Sequence, residues 1–137
     1  MEVFADTLYW IAIARPNDSW ATAARLAKAN LGSVKLVTTE EVLSEVLTSL
    51  AGGGLNLRRA AAAMVRAILS SPDVRVVSQS SESFLIGLAY YESRLDKSYS
   101  MADCISMQVM RSQQIEAVLT NDHHFAQDGF VVLISQE

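Results

Sequence analysis

The feature that most constrains this chain is an alternation. Short apolar runs at residues 2–5, 35–37, 74–77, 117–120 and 130–134 are separated by longer stretches with helical character. Residues 7–14 (TLYWIAIA) read as a short buried helix, and further helices are expected over 19–30, 39–51, 57–70, 80–95, 101–113 and, briefly, 123–127. Short apolar strands set between helices argue for a parallel sheet covered on both faces. The expected fold class is therefore α/β, a three-layer α/β/α sandwich forming one domain over residues 1–137. Right-handed crossovers bring all strand carboxyl ends to one edge, and ligands bind at that edge where the strand order switches.

Local signals set the expected boundaries. Pro16-Asn17-Asp18 reads as a turn, with Asn17 or Asp18 capping a helix that Gly32 ends. Ala23, Leu26, Ala27 and Trp20 form its expected apolar face. Thr38 followed by Glu41 matches a capping box, and Glu40 reads as solvated surface. Asn56 is the expected cap of the Ala-rich helix, and Ser100 that of the helix from residue 101. Gly52-Gly53-Gly54 lacks the Gly-Lys-Ser/Thr that would make it a phosphate-binding loop.

Composition removes several classes. Half the residues are hydrophobic and 19% are charged, enough apolar material for a core, which argues against disorder. No apolar run reaches the roughly 18 residues of a membrane helix, and Met1-Glu2-Val3-Phe4 lacks the basic and apolar segments of a signal peptide. Cys104, the one cysteine, excludes an internal disulfide framework and a cysteine-based zinc site. A chain of the reducing cytoplasm is expected. The net charge of −4 repels phosphates on average, so phosphate chemistry here needs bound cations or a local basic patch.

Four of the 15 acidic residues fall where that chemistry would be placed. Asp6 closes the first strand and is followed by an apolar segment rather than a polar loop. Asp122 lies two residues beyond the AVLT strand, Asp103 in the first turn of the helix after Ser100, and Glu45 two turns into the helix after the second strand. Singly, Asp103 also reads as a capping-box partner of Ser100, Asp122 as a turn or cap residue, and Glu45 as a partly exposed helix position. Together they read differently. Clustered carboxylates repel, and burying them is costly unless a cation compensates. Oxygen-only ligands suit Mg²⁺ or Mn²⁺ rather than zinc. A hydrated divalent ion held by few carboxylates is the arrangement of metal-assisted phosphodiester hydrolysis.

Val3-Phe4-Ala5-Asp6-Thr7, Val42-Leu43-Ser44-Glu45, Ser100-Met101-Ala102-Asp103-Cys104 and Leu119-Thr120-Asn121-Asp122-His123-His124-Phe125, with Gly129-Phe130, resemble the motifs of PIN domains. They are most similar to the small VapC-type toxins of bacterial toxin–antitoxin pairs, and the resemblance runs over nearly the whole chain. It implies a parallel sheet of order 3-2-1-4-5 and a Mg²⁺- or Mn²⁺-dependent endoribonuclease acting on tRNA or other structured RNA. It implies Asp6, Glu45, Asp103 and Asp122 as the catalytic acids. Asp6, Asp103 and Asp122 would hold the metal, and Glu45 would bind metal or orient water. Thr7 and Thr120 match supporting hydroxyl positions. A cognate antitoxin that places a helix and a basic side chain in the acidic cleft, and a homodimer using apolar surface on the early helices, are the implied partners.

Other readings stand beside this one. The same fold used as a non-catalytic RNA- or protein-binding module is the alternative. A phosphotransfer receiver needs an Asp where the third strand ends in Val77-Ser78-Gln79, and an aspartate-nucleophile phosphatase needs one where Leu8 stands. His123-His124 read as surface or loop-packing residues, and Cys104 as a small buried hydrophobe. Trp10, Trp20, Tyr9, Tyr90 and Tyr91 read as packing residues, with a base-stacking platform as the second reading. Arg15 is the expected phosphate contact among the basic residues.

Overall fold

The computed structural model describes residues 1–15 and 17–136. Its centre is a five-stranded sheet of order 3-2-1-4-5 in which every pairing is parallel. The strands are β1 (Glu2–Ala5), β2 (Lys35–Thr39), β3 (Val74–Val77), β4 (Ala117–Leu119) and β5 (Val131–Val132). The helices are α1 (Thr7–Ala14), α2 (Ala21–Asn30), α3 (Glu40–Leu50), α4 (Leu55–Ser70), α5 (Ser81–Ser93), α6 (Met101–Ser112) and α7 (His123–Gln127). The expected α/β sandwich and its strand order are both present.

Val3, Phe4 and Ala5 are fully buried, as are Val37, Val118 and Leu119 on the neighbouring strands, so the middle of the sheet is covered on both faces. Helix α1 packs on α2, α3 and α4, and α5 packs on α6. The right-handed rule puts these two groups on opposite faces. Gly87 makes the second group possible: a Cβ there would come within 2.5 Å of Ile105 Cγ1, so only glycine lets α5 sit this close to α6. None of the described helices is long and apolar enough to cross a membrane.

Several boundaries differ from expectation. Strand β2 runs on to Thr39, because the Thr38 hydroxyl donates to the Ala5 carbonyl of the neighbouring strand at 2.9 Å. The cap of α3 is therefore Thr39, whose hydroxyl accepts from Val42 N–H, and the expected Thr38–Glu41 capping box does not form. Glu40 is not merely solvated: its carboxylate accepts the Gln79 N–H at 2.7 Å and ties α3 to the segment before α5. Helix α4 starts at Leu55 with Gly54 (φ +93) as its cap, so Asn56 lies inside the helix. Helix α2 starts at Ala21, because Asp18 takes the Trp20 N–H in a turn instead of capping a helix from residue 19. Its inner residues are Ala21 and Ala24, while Leu26 is 59% exposed. Of the expected turn, Pro16 lies outside the described residues. Strand β5 is only Val131–Val132, although Leu133 and Ile134 continue to donate to the carbonyls of Val118 and Thr120.

Candidate active site

Parallel strands β1 and β4 are neighbours at the centre of the sheet, where the chain order reverses. Their carboxyl ends deliver Asp6 and Thr120 side by side. Asp6 N–H donates to Leu119 C=O at 3.3 Å, which extends the ladder by one residue up to the start of α1. The Thr120 hydroxyl then donates to Asp6 Oδ2 at 3.0 Å and accepts from Asp122 N–H at 3.2 Å. One hydroxyl thereby positions two acids. Asp122 caps α7, accepting from His124 N–H at 2.9 Å. Asp103 enters from the first turn of α6, in the expected reciprocal capping box with Ser100.

Carboxylate oxygens of Asp6, Asp103 and Asp122 lie within 4.8 Å of one another. Asp6 and Asp103 are buried and Asp122 is half-buried. Glu45 lines the same cleft but stands outside that trio, with its Oε1 accepting from the Thr7 hydroxyl at 2.5 Å. All four acids named from the sequence, and both threonines, thus occur at this edge, with Glu45 one step removed.

The electrostatics are those of an uncompensated cluster. Burial pushes the Asp6 carboxyl from 3.8 up to about 7, and the charges of Asp103 and Glu45 add to that effect. Hydrogen bonds from the Thr7 backbone and the Thr120 hydroxyl oppose it without overcoming it. Asp103 is also raised, by burial first and by the Asp122 charge next, with its bonds to Ser100 and nearby His124 working the other way. Among the described residues no Lys or Arg lines this cleft of about 630 Å³. A divalent cation fits such a site: it would supply the missing positive charge, and oxygen donors match a hard ion.

Two larger grooves, of about 850 and 820 Å³, lie between α1 and α4 and between α3, α5 and α6. Neither gathers a comparable cluster of acids. Arg15 lies in the first of these, with Gly53 and Asn56, and not in the acidic cleft. The expected phosphate contact is therefore misplaced. The Arg15 position follows α1 out of the cleft, because eight helical residues separate it from Asp6.

His124 corrects a second expectation. It is not a loop-packing residue. Its Nδ1 is 3.2 Å from Asp122 Oδ1 and 3.5 Å from Asp103 Oδ2, and its ring lies edge-on to Tyr99. Asp122, His123 and His124 form a second group whose possible ligand atoms lie within 4.8 Å. Only the local spacing, a histidine two residues after a strand-end aspartate, hinted at this. Asp18 and Trp20 also line the cleft and were not assigned to it from the sequence.

The comparisons with known proteins agree with this geometry. The structure is similar to that of VapC20 of Mycobacterium tuberculosis, a Sarcin-Ricin loop cleaving toxin, with a TM-score of 0.86 and 27% identity over 97% of this chain and 99% of that one. It shares its fold with FitAcB from Neisseria gonorrhoeae, at a TM-score of 0.59 and 19% identity over 96% of each chain. No functionally curated protein matches the sequence significantly. The family model of the PIN domain matches residues 3–130, from the strand that leads into Asp6 to the residue before β5, and the chain belongs to the PIN domain family.

Proposed function

We propose that this protein is a Mg²⁺- or Mn²⁺-dependent endoribonuclease and the toxin of a VapBC-type toxin–antitoxin pair. The observation that carries the reading is the trio of Asp6, Asp103 and Asp122, whose oxygens converge within 4.8 Å in a cleft lined, among the described residues, by no Lys or Arg. The similarity to a Sarcin-Ricin loop cleaving toxin supports the substrate class.

In this reading Asp6, Asp103 and Asp122 hold the metal. When bound, the ion supplies Lewis-acid stabilisation of the phosphate and lowers the pKa of coordinated water. The protein's own residues do the rest. Thr120 holds Asp6 and the Asp122 backbone in register. Glu45, fixed by the Thr7 hydroxyl, binds metal or orients and deprotonates the attacking water. His124 stands beside Asp103 and Asp122 at the edge of the site.

The partners follow from the same charges. A cognate antitoxin would inhibit by placing a basic side chain where the metal and phosphate belong. Homodimerisation has apolar surface available on the early helices, where Leu26 and Leu47 are exposed, and on α5, where Phe84, Leu85, Ile86 and Leu88 are exposed. Action in the cytoplasm accompanies such a role.

The test is cleavage of a structured-RNA pool, tRNA included, by purified protein in Mn²⁺ or Mg²⁺, with EDTA and Asp103→Asn as controls. The reading requires cleavage that needs both metal and Asp103. Full activity in EDTA or in the variant refutes it. A folded, antitoxin-free protein that binds RNA without cutting it would favour the binding module.

A further inference from the structure

Trp20 stands in the acidic cleft beside Leu8 and Ile11, and nothing so far explains why an indole should be there. Its backbone is pinned, because its N–H donates to Asp18 Oδ1 at 2.8 Å just before α2 begins. The side chain is half-buried and packs partly on the core. Among the described residues no other ring pairs with it. The second tryptophan differs on each count: Trp10 is buried, is edge-on to Tyr9, and donates its Nε1–H to Thr38 Oγ1 at 3.4 Å.

The charge balance of the cleft gives the indole a task. Asp6, Asp18, Glu45, Asp103 and Asp122 line it, without Lys or Arg among the described residues. The chain as a whole carries −4. A nucleic acid therefore gains nothing from the general field, and cations at the acids attract only the phosphate they touch. Uncharged contacts inside the cleft therefore carry more of the affinity, and a base stacked on an aromatic ring is the strongest of these. A base inside a duplex has both faces occupied by its neighbours, so only an unpaired base can use the indole. The cleft, about 630 Å³, is of the size that encloses a small group rather than a double helix.

We propose that Trp20 stacks an unpaired nucleobase of the substrate beside the acids. This rests on the ribonuclease reading above and adds a specificity residue to it. Trp20 acts in binding; the chemistry stays with the acids.

The test uses the intact protein in Ca²⁺, which binds carboxylate oxygens while supporting looser geometry than Mg²⁺. Tryptophan emission is followed while a random single-stranded 2′-O-methyl hexanucleotide pool is added, and again with a fully paired RNA duplex of the same length. Expected is quenching by the single strand and none by the duplex. Trp10→Phe keeps the quenching and Trp20→Phe removes it. Trp20→Ala binds the pool about 10- to 100-fold more weakly, whereas Trp20→Phe keeps most of the affinity and shows that the variant site is intact. In cleavage assays Trp20→Ala raises KM and leaves kcat nearly unchanged. Equal quenching by duplex, or Trp20→Ala binding as tightly as wild type, overturns the proposal. If Trp20→Ala binds normally while metal-dependent cleavage by wild type stands, stacking alone is wrong. If wild type fails to cleave any RNA, the ribonuclease reading falls and takes this one with it.

Discussion

Two buried aspartates in this molecule have opposite fates. Asp128, at the end of α7, has a side chain only 1% exposed. It accepts from Tyr90 at 2.5 Å and from Tyr99 at 3.3 Å, and it pairs with Arg111 at 2.5 Å and Arg94 at 3.5 Å. Arg111 in turn lies over the rings of Tyr90 and Phe130. Burial alone would raise the Asp128 carboxyl, but the Tyr90 bond and the Arg111 guanidinium outweigh it and hold the pKa below 3.8. Asp6, comparably buried, has two further carboxylates within 4.8 Å, receives one hydroxyl bond, and is pushed up to about 7. The fold neutralises one acid with its own residues and leaves the other in deficit. A buried carboxylate that is compensated ties helices together. One left uncompensated marks where a cation from outside belongs.

The sharpest way to break this contrast is Asp103→Asn. The amide can still accept the Ser100 N–H, so the fold should stand and metal-free stability should not fall, because a repulsive charge has gone. Cleavage should drop by about 10²- to 10⁴-fold, matching the several kcal/mol of transition-state stabilisation a metal supplies. Paired rate and Tm measurements check both halves; a variant that loses Tm in EDTA contradicts the repulsion argument.

Asp128→Ala should behave in the opposite way. Losing the shared acceptor of two tyrosines and two arginines should cost about 2–3 kcal/mol of stability, with the partly exposed guanidiniums limiting the loss. Denaturant unfolding measures this, and an undiminished midpoint would mean the network is not structural.

Thr120→Val removes the hydroxyl that serves both Asp6 and Asp122 without changing side-chain shape. An outer-shell loss of this kind should lower metal affinity or rate about tenfold. Mn²⁺ titration of the variant would show whether it does.

A further effect is in pH. With Asp6 raised from 3.8 to about 7, the metal-free folded chain binds a proton there that the unfolded chain has already released. The stability this contributes is fully present below about pH 4 and is lost as pH rises through about 7, at no more than about 1.4 kcal/mol per pH unit. Asp128 runs the other way: its contribution is present above the ordinary carboxyl range and is lost only as pH falls through its lowered value. In EDTA, Tm should therefore rise on going from about pH 7.5 to about pH 5, and Asp6→Asn should flatten that rise. A wild-type Tm that climbs with pH over this window would show that Asp6 is not raised.

Much of this site is legible in the sequence. Asp6 closing an apolar strand and Ser100–Asp103 at a helix start are local patterns, and both were read as they occur. Leu26 misled because a helix face is chosen by what the helix packs on, and α2 packs through Ala21 and Ala24. Thr38 misled because its hydroxyl had a better use in the sheet than at a helix end. His124 was passed over because its meaning depends on Asp103, which arrives from a different helix.

The sequence by itself determined the alternation of strand and helix, and with it the placing of acids at strand and helix ends. Periodicity, capping and strand length are properties of a few adjacent residues, so they survive without a third dimension. Only the tertiary structure decided which buried acids are neutralised. Asp128 finds its partners 38 positions away at Tyr90 and 17 away at Arg111, while Asp6 meets a hydroxyl 114 positions away and no Lys or Arg in the cleft among the described residues. Charge compensation depends on distance in space, and the order of residues along the chain does not state that distance.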